Sequence, residues 1–427
     1  MDRFEYRDGE LWCEDVRVRE AADRFGTPLY LYSQDTLLTH YDRFRAAFAA
    51  LDPLICFSVK CCQNTHICRL LAERGSGFDV VSGGELFRAL RAGADPQKIV
   101  YAGVGKTEPE IREALAADIG WFNIESESEL EQMATIAAAA GRSPRVALRV
   151  NPDVDAQTHA YTTTGKKETK FGVDIDAAGA VFQRWGRSKH VRLTGLHLHI
   201  GSPVNHVSAY EASMQRAIEF IDARRGEGLA IDTLDIGGGY GAHYAGSEAP
   251  SAAAYAAAIV PLLEGRQLRV ILEPGRSIAG NAGLLVTRVL HVKQSGAKRF
   301  VIADAAMTEL IRPALYGAYH FVWPVAAGAR VPATRAAEQP FDGLEKCDLV
   351  GPVCESGDFL ARDRALPPVK RGDLLAIFTS GAYAMTMASQ YNSRPRAPEV
   401  LVSNGQTRLI RRRETYADLV AAEQVEG

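Results

Sequence analysis

Apolar, β-branched runs bounded by turn residues recur along the first two thirds of the chain, at 54 to 60, 78 to 82, 99 to 102, 121 to 124, 146 to 150, 193 to 200, 232 to 236 and 268 to 273. Between most of them lie helix-like segments with start signals. Thr107 precedes Glu108-Pro109, Ser126 precedes Glu127, and alanine-rich stretches cover 131 to 140 and 252 to 258. Eight strands alternating with helices predict an α/β fold, a (β/α)8 TIM barrel over 36–281. After about residue 281 the alternation stops. Strand-like runs at 284 to 292, 299 to 303, 347 to 350, 374 to 378 and 399 to 402 then predict a C-terminal β-rich domain, a β-barrel, over 282–427. The turn-rich stretch from Ala326 to Gly343 and Leu366-Pro367-Pro368 connect its strands, and a short helix near 414 to 423 closes the chain. The segment 1–35, with Tyr30-Leu31-Tyr32 as a strand candidate, is expected to join this second domain.

In a (β/α)8 barrel, chemistry sits at the carboxyl ends of the strands, and a phosphate site is commonly built from the loops after strands seven and eight. Lys60 ends the first run, Gly237-Gly238-Gly239 follows the seventh, and Glu273-Pro274-Gly275-Arg276 the eighth. Taken singly, each has an ordinary explanation. A rim lysine snorkels to water, a glycine triplet makes a turn, a glutamate caps the next turn, and His197 and His199 fill a core. Placed together at one barrel mouth, the amine, the glycine cradle and the carboxylate read as the parts of a pyridoxal 5'-phosphate site.

At 427 residues the chain exceeds a bare barrel of about 250 residues, in keeping with a second domain. Its 49 Lys+Arg against 52 Asp+Glu leave a formal charge of −3, and no basic block is longer than Arg411-Arg412-Arg413. That balance argues against nucleic acid and membrane surfaces as partners. No apolar stretch approaches the roughly 18 residues of a spanning helix, and Met1-Asp2-Arg3-Phe4-Glu5 is unlike a signal peptide, so a cytoplasmic location is expected. Seven cysteines, spread from Cys13 to Cys354, do not form a disulfide framework. Cys56, Cys61, Cys62, His66 and Cys68 match no paired C-x2-C spacing and straddle a strand, a turn and a helix. They are read as buried thiols, and no metal is expected.

Further motifs occur in one order. They are Ser58-Val59-Lys60, Phe78-Asp79-Val80-Val81-Ser82-Gly83-Gly84-Glu85-Leu86, His199-Ile200-Gly201-Ser202, the triple glycine, Glu273-Pro274-Gly275-Arg276, Arg312-Pro313-Ala314-Leu315-Tyr316, Cys354-Glu355-Ser356-Gly357-Asp358 and Gly381-Ala382-Tyr383. In this order they resemble the fold-type III, pyridoxal-phosphate-dependent amino-acid decarboxylases from about residue 25 to residue 423. The resemblance implies that Lys60 forms the Schiff base with the cofactor. It implies that Asp79 favours the protonated imine by charge, that Glu273 keeps the pyridine nitrogen protonated, and that His199 lies against the ring. Gly238, Gly239, Gly275 and Arg276, with the Ser202 and Tyr383 hydroxyls, would hold the phosphate.

For the substrate, the resemblance implies a far-end carboxylate held by Arg276, Arg312 and Tyr316, with Tyr383 beside it, and a far amino group held by Glu355. Cys354 would return a proton after carbon dioxide leaves. Cys354 and Glu355 would reach the site of a partner subunit, which implies a homodimer with shared active sites. An amino-acid head at both ends describes meso-2,6-diaminopimelate, and the expected activity is its decarboxylation to L-lysine and carbon dioxide, within lysine biosynthesis. Ornithine-type members need no far carboxylate clamp and carry aspartate after the cysteine. Alternatives are a decarboxylase acting on ornithine, arginine or a carrier-linked acid, and a non-catalytic cofactor binder. The chain departs from the family at Cys61-Cys62, at Pro203 and at Ala384-Met385, none of which removes a catalytic group. Arg149-Val150-Asn151-Pro152 and the polar loop from His159 to Gly172 also match, the loop being expected to act as a lid.

Overall fold

The structure, a computed structural model, describes residues 2–154, 170–245 and 249–424. The chain forms two compact units: His40–Gly241 with Ala249–Arg276, and Met1–Thr39 with Ala242–Glu248 and Ser277–Gly427.

The first unit is the barrel. Its strands are Leu54–Ser58, Gly77–Val80, Ile99–Tyr101, Trp121–Ile124, Arg145–Asn151, Arg192–Leu198, Thr233–Asp235 and Arg269–Leu272. Each pairs in parallel with its neighbours, and the last pairs with the first to close the ring. A short strand, Val173–Asp174, lies alongside Arg145–Asn151. Three runs read as longer strands stop two residues early, the second of the eight at Val80. The first ends at Ser58 and Lys60 falls in a 3-10 turn, Val59–Cys61, while the sixth ends at Leu198. Apolarity overshoots in the first and sixth because Val59 and Ile200 are buried beyond the last ladder bond.

At the amino end Trp121 packs with Cys56, Val100 and Ile271, and the Arg145 guanidinium lies 4.1 Å from the centre of its ring. The helix starts follow the capping residues. Glu110 reaches back to the Thr107 N–H at 2.9 Å, and the Ser126 and Ser251 hydroxyls accept the N–H groups of Glu129 and Ala254. The helix Glu127–Ala139 therefore begins ahead of its alanine-rich part, and Ala252–Leu263 runs past residue 258.

The second unit is mostly sheet. Leu29–Ser33 lies between Gly283–Ser295, antiparallel, and Glu399–Ser403, parallel. Its Tyr32 hydroxyl donates to Glu399 at 2.9 Å. The five strand runs after residue 281 are present, as Gly283–Ser295, Lys298–Ala303, Glu345–Val350, Leu374–Ile377 and Glu399–Ser403. Val322–Pro324, Phe359–Leu366 and Gln406–Arg411 complete a nine-stranded sheet. A separate three-stranded sheet, Phe4–Arg7, Glu10–Cys13 and Val16–Arg17, opens the chain. The closing helix is Tyr416–Leu419, started by a Thr415 to Asp418 capping box. Six of the seven cysteines are buried and Cys354 is exposed. Among the described residues no helix is long and apolar enough to cross a membrane.

Glu309 is a buried acid of this unit, 2 % exposed, whose carboxylate accepts the Ala306 N–H and the Thr308 hydroxyl. Burial pushes it up to about 7. A carboxyl raised on folding contributes stability that is fully present below its ordinary range and is lost as pH rises through about 7. Glu309→Gln keeps the acceptor and removes the titration. In urea unfolding at pH 5 and pH 8.5, the parent should lose about 2 to 3 kcal/mol more than the variant across that interval.

Candidate active site

The parallel barrel brings the carboxyl ends of its strands to one rim, and the chemistry-bearing residues of the first unit lie there. Lys60 Nζ donates to Asp79 Oδ2 at 2.6 Å, with the lysine one-third exposed and the aspartate fully buried. The two meet because Ser58 and Asp79 are register partners in adjacent strands. The Ser58 hydroxyl donates to the same oxygen. Burial and the charge on Glu273 push Asp79 above its ordinary range, against the pull of Lys60 and Ser58.

Glu273 follows the last strand and is 2 % exposed. Burial alone would raise it, but His197 and then Lys60 outweigh that and hold its carboxyl well below the usual range. The His197 Nε2 stands 3.6 Å from Glu273 Oε2, just beyond hydrogen-bonding distance. Asp235, also buried, is pushed well above its usual range by burial and by Glu273. Two carboxyls side by side in a dry interior do not both ionise. The opposite shifts favour the proton on Asp235 and the charge on Glu273. Asn123 Nδ2 bridges them, 2.9 Å from Asp235 and 3.3 Å from Glu273.

The glycine turn is fixed on several sides. Gly237 N–H donates to Asp235 at 2.9 Å, Gly238 N–H donates to His199 Nδ1 at 3.2 Å, and Tyr210 donates to the Gly238 carbonyl at 2.8 Å. Gly237 and Gly239 have φ of +70° and +103°, where side chains are strained. A Cβ on Gly238 would run into the Glu273 carbonyl oxygen, and one on Gly275 would stand 2.8 Å from Ser58 Cβ and 3.1 Å from Cys61 Sγ. Since Nδ1 of His199 accepts the Gly238 N–H, the neutral ring carries its proton on Nε2. Burial, with Arg149 and Lys60, holds His199 well below its usual range, in agreement. Arg276 Nε and Nη2 both reach the Ser202 hydroxyl at 3.3 Å.

In the second unit, Arg312 and Tyr316 share the helix Arg312–Tyr316, with the guanidinium over the rings of Tyr316 and Tyr244 at 5.7 and 5.3 Å. Cys354 and Glu355 are exposed on a loop that buried Asp358 holds by accepting the N–H groups of Met307 and Val353 at 2.7 Å each. Tyr383 lies in a turn with φ of +56°.

Asn123, Asp235 and the pair Arg149 with Glu125, 2.9 Å apart and both buried, had no role in the sequence reading. His197 was read as core. The loop expectation over 159–169 lies outside the described residues, while Gly172 N–H donates to Glu125 at 2.9 Å.

These groups suit a flat, anionic, aldehyde-bearing cofactor: an amine against a carboxylate, a second carboxylate held charged, a neutral imidazole, and a turn into which no side chain fits. A pyridoxal-dependent decarboxylase family model, its pyridoxal binding domain, matches residues 34–280. The chain belongs to this family. Its cofactor is pyridoxal 5'-phosphate, and it is a carboxy-lyase. Along its length it is 45% identical over 418 residues to a diaminopimelate decarboxylase of Aquifex aeolicus, covering 98% of this chain and 96% of that one. It is 46% identical over 425 residues to that of Pseudomonas aeruginosa, covering 100% and 99%. The crystal structure of diaminopimelate decarboxylase from Helicobacter pylori complexed with L-lysine superposes with a TM-score of 0.88 at 39% identity, covering 95% of this chain and 99% of that one.

Gly238→Ala tests the cradle. The added methyl meets the Glu273 carbonyl oxygen, a main-chain atom that cannot move aside alone, so the turn must shift and the variant should bind pyridoxal phosphate about 10- to 100-fold more weakly in an equilibrium fluorescence titration. Unchanged affinity would remove Gly238 from the cofactor site.

Proposed function

We propose that the chain decarboxylates meso-diaminopimelate to L-lysine, and that it does so in the cytoplasm as a step of lysine biosynthesis. The observation that carries this reading is full-length similarity, near 45% identity, to diaminopimelate decarboxylases. The buried Arg312, set over two tyrosine rings, supports it as a carboxylate-binding group.

When bound, pyridoxal phosphate supplies the electron sink that accepts the pair left as carbon dioxide departs. Lys60, which donates to Asp79 at 2.6 Å, would provide the amine that holds the cofactor aldehyde, and Asp79 would favour positive charge on that nitrogen. Glu273, held low by His197 and Lys60, would hold a proton on the ring nitrogen. His199 presents a neutral imidazole face. The backbone N–H groups of Gly239, Gly275 and Arg276, with the Ser202 and Tyr383 hydroxyls, hold the phosphate, and Gly238 lets the turn pass beneath the Glu273 carbonyl. Arg276, Arg312, Tyr316 and Tyr383 take the far carboxylate of the substrate and Glu355 its far amino group. The bond from the reacting carbon to its carboxylate breaks, and the Cys354 thiol delivers a proton to that carbon. The exposure of Cys354 and Glu355 in the single chain supports their serving the site of a second copy, so the working form is a homodimer.

The holoenzyme offered meso-diaminopimelate, L-ornithine, L-arginine and L-glutamate should release carbon dioxide and L-lysine from the first alone; faster turnover of ornithine or arginine would overturn the reading. Arg312→Ala should lower kcat/KM for diaminopimelate about 100-fold, as loss of a charged bidentate contact of about 3 kcal/mol predicts. Lys60→Ala and Cys354→Ala proteins, each nearly inactive, should recover part of the activity after subunit exchange. Mixed dimers that stay inactive despite verified exchange would place both residues in one subunit's site.

A further inference from the structure

We propose that His320 is a positioning residue for the carboxylate clamp. It acts through Arg312 and sets the guanidinium without neutralising it. The inference rests on the reading of Arg312 given above.

The helix Arg312–Tyr316 is closed by Gly317 in the left-handed region, φ +59°, and the Ala318 N–H returns to the Arg312 carbonyl at 3.3 Å. That reversal brings residue 320 back against residue 312. His320 is fully buried. Its Nδ1 is 2.9 Å from the Phe378 carbonyl oxygen, and its Nε2 is 3.3 Å from Arg312 Nε. A carbonyl only accepts, so the proton is on Nδ1. An arginine Nε–H only donates, so Nε2 offers its lone pair. Both ends of the imidazole are therefore assigned, and the ring is neutral.

The ring cannot swing away. The Phe378 N–H donates to the Phe321 carbonyl at 2.9 Å, which fixes the backbone on which Nδ1 rests. Arg364 donates to the His320 carbonyl at 3.0 Å. The Tyr244 ring meets His320 edge-on, 5.4 Å between centres, and the same ring underlies Arg312. A carboxylate in the place of this imidazole would also orient the guanidinium, but its negative charge would oppose an incoming anion. A neutral acceptor orients the fork and leaves its full charge for a substrate carboxylate.

L-Lysine and 1,5-diaminopentane differ only by a carboxylate, so the ratio of their dissociation constants on the holoenzyme, read from the cofactor absorbance, measures the clamp. His320→Leu should weaken lysine binding about 10- to 30-fold and leave diaminopentane binding unchanged. It should raise KM for diaminopimelate while kcat stays within about twofold. His320→Gln, which keeps an acceptor near the position of Nε2, should restore most of the ratio, whereas a residue acting only in packing would be served as well by Leu. Arg312→Ala is the reference. If it abolishes the lysine preference and His320→Leu does not, the role given to His320 is wrong. If Arg312→Ala itself leaves the preference intact, the assignment of Arg312 fails first.

Discussion

Asp235 and Glu273 lie side by side in the dry interior of the barrel, and their surroundings drive them apart, the first up and the second down. Asp235 sits at the end of its strand, where Gly237 N–H and Asn123 both donate to it, yet burial and the neighbouring charge push it well above its usual range. Glu273 faces His197 and feels Lys60, and carries the negative charge. Because Asn123 donates to both acids, the pair is held as one unit by a residue 112 positions from the first and 150 from the second. A charged Asp235 would repel Glu273 and raise it. The proton-holding role proposed for Glu273 would then be lost.

The same group governs the opposite side of the site. The charge on Glu273 pushes Asp79 up, and Asp79 is opposed in that by Lys60 at 2.6 Å. Lys60 lowers both acids and so offsets the repulsion between them, and the three form a chain from which the lysine cannot be removed without raising Asp79 and Glu273 together. A barrel suits such a chain because its strand ends converge on one small rim, and because register pairing, as between Ser58 and Asp79, fixes side chains to within the reach of a hydrogen bond. The glycine turn is tied into it as well, through Gly237 to Asp235 and through the Glu273 N–H to the Gly237 carbonyl at 2.9 Å.

What was legible in the sequence were residues in the turns: Lys60, the glycines, Glu273, Arg312 and Cys354 stand beside punctuation that marks strand ends. The barrel was legible too, because eight apolar runs alternate with capped helices. What escaped were polar residues inside those runs. Asn123 and Asp235 interrupt otherwise apolar strands, and nothing local says that strands more than a hundred residues apart place them in contact. The position of Lys60 was misjudged by a turn because Val59 is as buried as the strand before it. The strands Phe359–Leu366 and Gln406–Arg411 were missed because Arg362-Asp363-Arg364 and Thr407-Arg408 break the apolar signal, and their pairing is supplied by neighbours in the sheet. The opening sheet has strands of two to four residues, too short for a period to show.

Protonation was the least legible feature, and it is set here largely by main chain. Gly238 N–H makes Nδ1 of His199 an acceptor and the Phe378 carbonyl makes Nδ1 of His320 a donor, whereas Gly237 N–H, donating to one oxygen of Asp235, opposes the upward shift of that acid. Each partner belongs to a turn or a strand end whose position the fold already fixes. Side-chain partners can be lost by one substitution, but a peptide group stays when its own residue changes. Each imidazole, His199 in the barrel and His320 in the second unit, gains from having its neutral state imposed by the backbone. It follows that the turns are constrained twice, once by the space a cofactor needs and once by the hydrogen bonds that fix the states of its neighbours. A change that merely shifts Gly238 should disturb His199 along with the cradle, which is why glycine conformation and acid–base chemistry cannot be treated separately in this barrel.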